Sequence, residues 1–263
     1  MSEFGIDLAG VVDGVAWIVI RNPARHNALR LEMWQAIPEV VATVNADPKI
    51  RVCVLRGYGN EAFASGADIS EFATHRKDAA SAAAYEAVTA TAFSALLACE
   101  KPIVAMLQGA CIGGGLAIAV SADLRIAADD TTLALPPARL GLGYHLAGVE
   151  RVVQVVGPSA AAEMFFTART YSAAEAHAVG LVNRVVPKAS LLAETERYVA
   201  DIARNAPLTI RAAKRAIAEV QRGAGERDTA AVARLIAACF ESEDYAEGVK
   251  AFLEKRRPKF VGR

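Results

Sequence analysis

Eighteen consecutive residues, Ile103 to Val120, contain one clearly polar side chain, Gln108. An apolar stretch of this length lies near the lower limit for spanning a bilayer, about 17–25 residues. Its glycines point elsewhere. Gly109 and the run Gly113-Gly114-Gly115 interrupt it, and each glycine weakens a helix interior by roughly 1 kcal/mol relative to alanine. The segment therefore reads as a buried strand, a glycine turn and a buried helix. Hydrophobic residues make up 54% of the 263 and charged residues 22%, enough apolar material for a real core without staples.

The rest of the chain supports an α/β fold. Val11-Val12 and Val15 to Ile20 flank Asp13-Gly14, a favoured type I′ hairpin pair. A helical pattern runs from about Leu31 to Asn45, which Pro38 is expected to bend or interrupt. Val52 to Arg56 is a β-branched strand, and the alanine-rich Ala79 to Cys99 a long helix. Ile103 to Met106 is strand, Gly115 to Ala122 helix, Leu124 to Ala127 strand. Ser172 and Glu175 have capping-box spacing with Gly180 as the stop, and Val182 to Val186 is a last strand. Strands alternating with helices predict helices packed around sheet. From Leu191 onward only helices are expected, broken at Pro207 and around Gly223-Ala224-Gly225. A soft boundary near residue 200 separates a core (1–200) from a helical tail (201–263), and such a tail often packs on a neighbouring subunit.

Charge and cysteine usage exclude several roles. Lys+Arg and Asp+Glu are equal at 29 each, unlike a nucleic-acid binder that works by phosphate neutralisation. Cys53, Cys99, Cys111 and Cys239 form no CxxC pair and sit among apolar neighbours, so buried free thiols in a reducing compartment are expected and a metal site is not. Met1-Ser2-Glu3-Phe4 has no basic or apolar leader character, so a soluble cytoplasmic protein is expected. Gly141-Leu142-Gly143 does not complete a dinucleotide fingerprint, and no phosphate loop is present.

Two segments stand out chemically: Phe63-Ala64-Ser65-Gly66-Ala67-Asp68-Ile69 and Gln108-Gly109-Ala110-Cys111-Ile112-Gly113-Gly114-Gly115. Small residues let a ligand approach the backbone. The second segment opens a helix, whose first N–H groups lack intrahelical acceptors and lie at the positive end of the dipole. One N–H from each segment could hold a carbonyl oxygen that becomes an oxyanion. Equally, the glycines could serve only tight packing; spacing alone weighs the two evenly.

FASGADI followed by KPIVAMLQGACIGGGLAIAVSADLRIAA resembles the crotonase superfamily, also called the enoyl-CoA hydratase/isomerase family. Arg21-Asn22-Pro23, Asn27-Ala28-Leu29, Phe166-Thr167-Ala168, Ala178-Val179-Gly180-Leu181-Val182 and Phe252-Leu253-Glu254-Lys255-Arg256 agree in order and spacing across essentially the whole chain. The resemblance implies a spiral of ββα units with a helical C-terminal trimerisation region, assembled as a homotrimer or a dimer of trimers. It implies an acyl-CoA thioester as substrate and no separate cofactor. The backbone N–H groups of Ala67 and Gly114 would form the oxyanion hole. Arg25 and Ala28 in segment 24–29, with Ser65, Gly66, Asp68 and Ile69 in segment 65–69, would line the CoA site. Lys255 would meet the CoA phosphates; without the resemblance it reads as a solvated charge.

The sequence departs from the hydratase pattern at two positions. The family's hydratases use two glutamates, and the corresponding residues here are Ala117 and Pro137, neither able to transfer a proton. No acid occurs between Gly113 and Ser121 or between Leu133 and Gly148. The run Leu140 to Gly148 and the tail from Ser242 resemble the methylmalonyl-CoA decarboxylase branch, where a tyrosine matching Tyr144 lies near the reacting acyl group. That match is incomplete at Ala67, Ala117 and Pro136. Decarboxylation suits a site poor in carboxylates. Tyr144 is the catalytic candidate. His145 reads as a solvent-facing loop residue more readily than a proton shuttle, and Arg139 as either a carboxylate ligand or an ordinary ion-pair partner. Glu71 and His75 are candidates for lining the acyl pocket. The alternatives are a hydratase with unconventional groups and a catalytically silent acyl-CoA binding protein.

Overall fold

A computed structural model describes residues 4–263. Strands β1 (Gly5–Val12) and β2 (Val15–Arg21) form the hairpin, with Asp13 and Gly14 both at positive φ as a type I′ turn requires. Helix α1 (Leu31–Ala46) follows, then β3 (Val52–Gly57), β4 (Ala62–Ala64), the single-turn α2 (Phe72–His75) and α3 (Ala79–Leu97). Next come β5 (Ile103–Leu107), β6 (Ala110–Ile112), α4 (Gly114–Ser121), β7 (Leu124–Ala128), β8 (Thr132–Ala134) and α5 (Leu146–Thr167). β9 (Tyr171–Ser172), α6 (Ala173–Ala178) and β10 (Arg184–Val186) complete the strands. Four helices follow: α7 (Leu191–Ala203), α8 (Pro207–Val220), α9 (Thr229–Phe240) and α10 (Glu243–Leu253).

The strands sort into two sheets. The larger runs β1-β2-β3-β5-β7-β10, antiparallel only at the hairpin; the smaller runs β4-β6-β8-β9. Each of the pairs β3/β4, β5/β6 and β7/β8 gives one strand to each sheet before a helix intervenes. This is the expected α/β class of repeated ββα units. The central strands β3 and β5 are buried on both faces, as their near-continuous apolar sequences require. Along β3 and β5, Cys53, Leu55, Ile103, Ala105 and Leu107 join the cluster containing α1, α3 and α4. The intervening Val52, Val54, Val104 and Met106 pack with Leu191, Val199 and Ala203 of α7, the two-residue period of a strand. Residue 200 thus lies within a helix that covers the sheet.

The structure differs from the sequence reading at several elements. α1 runs unbroken through Pro38. Met33, Trp34, Ile37, Val41 and Val44 bury one helical face, and that packing outweighs the hydrogen bond a proline removes. The small sheet was not anticipated, because three-residue strands carry no readable period. Nor was α5, whose midpoint breaks at Gly157 (φ 78°) before Pro158. The thiols of Cys53, Cys99 and Cys111 are buried and free. The Ile103 to Val120 stretch is β5, β6 and α4. Among the described residues no helix is long and apolar enough to cross a membrane.

Candidate functional site

Two backbone segments converge where β4 and β6 end. Leu29 accepts the Asp68 N–H (2.9 Å) and donates to the Gly66 carbonyl (2.7 Å), a parallel bridge to Ala67. Successive N–H groups of an extended chain point to opposite sides. With its two neighbours turned toward Leu29, Ala67 turns its own N–H away, and that N–H has no acceptor among the described residues. Gly113, at φ 52° and ψ −117°, caps α4, and its N–H donates to the Ala134 carbonyl at 2.8 Å. Gly114 is therefore the first helical residue, and its N–H is free as helix geometry dictates.

The two free groups are close. A methyl built on Gly114 would stand 3.5 Å from the Ala67 nitrogen and 3.0 Å from Trp34 Cζ2. One built on Gly115 would stand 2.4 Å from the Ala64 carbonyl oxygen, so α4 meets β4 only through a glycine. Ala67 and Gly114 are thus brought together.

From Gly114 a row of rings leads to Tyr144. Trp34 meets Phe93 edge-on at 5.3 Å, Phe93 lies 6.0 Å from His145, and His145 stacks on Tyr144 at 5.6 Å. Phe165 of α5 closes the row 5.1 Å from Tyr144. Tyr144 is half-buried, and its hydroxyl makes no hydrogen bond among the described residues. Burial pushes its phenol up to about 12, against a downward pull from the Arg76 charge. Trp34, Phe93 and Phe165 were not singled out from the sequence; they come from three separate helices, and only their rarity in a chain with 6% aromatic residues marks them.

His145 is the N-cap of α5: its Nδ1 accepts the Gly148 N–H at 3.1 Å. That bond assigns the ring proton to Nε2 in the neutral form. Glu71 is buried and committed. Its Oε1 accepts from Arg30 Nε at 2.8 Å and its Oε2 from the Leu31 N–H at 2.9 Å, capping α1 from outside. Both of its oxygens are thus engaged at the start of α1. His75, at the end of α2, makes no hydrogen bond or ion pair among the described residues. Arg139 is exposed and unpaired there, so no ion pair forms at that position. Ala117 is buried in the first turns of α4, and Pro137 opens a 3-10 turn over Pro137–Leu140.

The segments assigned to CoA also meet. The Ser65 hydroxyl donates to the Arg25 carbonyl (3.0 Å) and the Ser65 N–H to the His26 carbonyl (3.0 Å). His26 and Asn27 adopt left-handed φ, and Asn27 Nδ2 donates to the carbonyls of Tyr58 and Ala62. Ala28 is buried, Arg25 is exposed, and Ile69 is 63% exposed. Asp68 Oδ1 accepts from the Ser70 N–H and hydroxyl. Burial raises its pKa, but those bonds with Arg25 and Arg30 outweigh it and hold the carboxyl below its usual range. Lys255 is exposed at left-handed φ just beyond α10, with no side-chain bond to either segment among the described residues. Its neighbour Arg256 is instead paired with Glu247 at 2.7 Å.

A family model described as enoyl-CoA hydratase/isomerase matches residues 10–263. A crotonyl-CoA hydratase of Syntrophomonas wolfei is 32% identical over 249 residues, 95% of either chain. A methylmalonyl-CoA decarboxylase of Escherichia coli is 33% identical over 258 residues, 95% of this chain and 96% of that one. The crystal structure of an enoyl-CoA hydratase/carnithine racemase from Magnetospirillum magneticum superposes with a TM-score of 0.91 at 36% identity, covering 95% of this chain and 93% of that one.

Proposed function

Since the chain belongs to the enoyl-CoA hydratase/isomerase family, whose acyl-CoA chemistry it shares, we propose that it decarboxylates a malonyl- or methylmalonyl-type acyl-CoA through a thioester enolate. The observation that carries this reading is a close pair of backbone N–H groups, Ala67 and Gly114, unpartnered among the described residues, while the neighbouring carboxylates Asp68 and Glu71 are hydrogen-bonded elsewhere. The thioester oxygen sits between the two donors. As the bond from C2 to the carboxylate breaks, carbon dioxide departs and the electron pair moves onto that oxygen. Preorganised N–H donors stabilise the charge where it develops.

The enolate is then protonated at C2. Tyr144, protonated at neutral pH like any phenol, is the proton donor in this reading, and water restores its proton. No carboxylate is needed in either step, which suits Ala117 and Pro137. Segments 24–29 and 65–69 line the CoA site, through Arg25, Ala28, Ser65, Gly66, Asp68 and Ile69, with Lys255 as the phosphate contact. The helices beyond residue 200 expose Phe240, Phe252 and Leu253, the last two 83% and 75% exposed. An apolar face of this kind supports a homotrimer or a dimer of trimers.

A second reading, hydration by other groups, draws on the hydratase relatives at 32% identity. The purified protein is incubated with malonyl-CoA, methylmalonyl-CoA and crotonyl-CoA, and products are read by mass spectrometry. Loss of carbon dioxide supports decarboxylation. Gain of water by crotonyl-CoA replaces it with hydration. Binding without turnover of any of the three leaves the protein a silent acyl-CoA binder.

A further inference from the structure

Arg76 carries a charge that no ion pair neutralises among the described residues. It follows α2, with its guanidinium carbon 4.7 Å from the Phe72 ring centroid and 4.1 Å from that of Tyr85. Its Nε is buried without a hydrogen-bond partner, and its side chain has no ion pair among the described residues. The nearby carboxylates are engaged elsewhere. Asp68 accepts from Ser70, Glu71 from Arg30 and Leu31, and Asp78 from the Ser81 N–H that begins α3. A buried donor left unmade is costly, more so when charged, and calls for an explanation.

Its position supplies one. Tyr85 is buried in the same cluster as Trp34, the ring against Gly114. The Arg76 charge also reaches Tyr144 at the other end of the aromatic row. Arg76 therefore sits against the aromatic cluster that joins Gly114 to Tyr144. Two aromatic faces hold the guanidinium plane, leaving its edge for a planar anion, the geometry in which arginine binds carboxylate through paired hydrogen bonds. Arg139, the other unpaired arginine considered for such a role, is exposed on a 3-10 turn.

We propose that Arg76 recognises a carboxylate on the acyl chain, so that the substrate is the monothioester of a dicarboxylic acid. This rests on reading the cleft as an acyl-CoA site. In a decarboxylation the guanidinium stabilises the ground-state carboxylate more than the transition state, where charge has moved to the thioester oxygen. It therefore serves KM and restrains kcat.

The test is calorimetric titration with succinyl-CoA and glutaryl-CoA against the uncharged butyryl-CoA and valeryl-CoA. The wild type binds the acids about tenfold to hundredfold more tightly, the ratio expected of a charge-assisted contact. Arg76→Gln erases that preference while leaving affinity for CoA itself and the melting temperature unchanged. Arg76→Lys keeps part of it, and Arg139→Gln keeps all of it. On any carboxylated substrate that turns over, Arg76→Gln raises KM with kcat unchanged or higher. Equal affinity for acids and uncharged thioesters in the wild type, a preference surviving Arg76→Gln, or a fall in kcat alone overturns the proposal. So does failure of every thioester to bind. Preference without carbon dioxide release removes only the decarboxylase reading, and carbon dioxide release with equal binding removes only the role of Arg76.

Discussion

Gly114→Ala tests the paired N–H groups directly. The added methyl lies 3.0 Å from Trp34 Cζ2, 3.4 Å from Trp34 Cη2 and 3.5 Å from the Ala67 nitrogen, so it occupies the space where an oxygen would approach both donors. Losing the use of one such donor lowers kcat by about 10²–10³, roughly 2.7–4 kcal/mol of transition-state stabilisation. The fold feels two opposing effects. Crowding against a buried ring costs about 1–3 kcal/mol, while alanine in place of helical glycine returns about 1 kcal/mol. The net destabilisation is about 0–2 kcal/mol, a fall in melting temperature of roughly 0–8 °C for a chain of this size. Carbon dioxide release from methylmalonyl-CoA, CoA affinity and melting temperature are measured together. Gly114→Pro is the companion: proline is tolerated at a first helical position but has no N–H. Turnover within threefold of wild type in both variants, with folding and CoA binding intact, would refute the assignment of these donors.

Tyr144→Phe lowers kcat by about 10²–10⁴ if the phenol donates the proton, and leaves the melting temperature nearly unchanged because its hydroxyl holds no hydrogen bond; unchanged turnover removes Tyr144 from the mechanism. Because burial raises this phenol to about 12 while an unfolded tyrosine ionises near 10, its contribution to stability is complete below pH 10 and declines from there toward pH 12; a melting curve against pH should fall less steeply over that window in Tyr144→Phe. Glu71→Gln weakens both the α1 cap and the Arg30 pair, costing about 1–3 kcal/mol on urea unfolding with kcat retained; a lost kcat in a fully stable variant would restore Glu71 as a catalytic group. His145→Ala removes the α5 cap and costs about 1 kcal/mol, whereas His145→Asn, which can still accept from the helix, recovers most of it.

Local chemistry was what could be read from the chain before its structure. The Asp13-Gly14 hairpin, the Ser172/Glu175 capping box and the strand-turn-helix around Gly113 to Gly115 each follow from the conformations their own residues permit, and each is present. What escaped depends on distant partners. Pro38 sits inside a continuous helix because buried residues before and after it hold the helix to the sheet. β4, β6 and β8 are held by one another rather than by any pattern of their own. In the site, small residues marked the two segments, and it was the resemblance to the family that assigned Ala67 and Gly114 within them. Arg76 was not legible, since only the fold shows that Asp68, Glu71 and Asp78 are all occupied elsewhere. Glu71 looked available for the same reason in reverse: the atoms it serves lie 40 and 41 positions earlier in the chain.

The Leu29 bridge to Ala67 bears on how such a protein can change over generations. The donor it orients belongs to the main chain, so exchanging the methyl of Ala67 for a larger group leaves that N–H in place. At Gly114 the opposite holds, because any side chain enters the gap itself. Among single replacements at position 67, only proline deletes the donor outright. A lineage is therefore free to trade the side chains around these donors while the paired N–H groups are inherited unaltered.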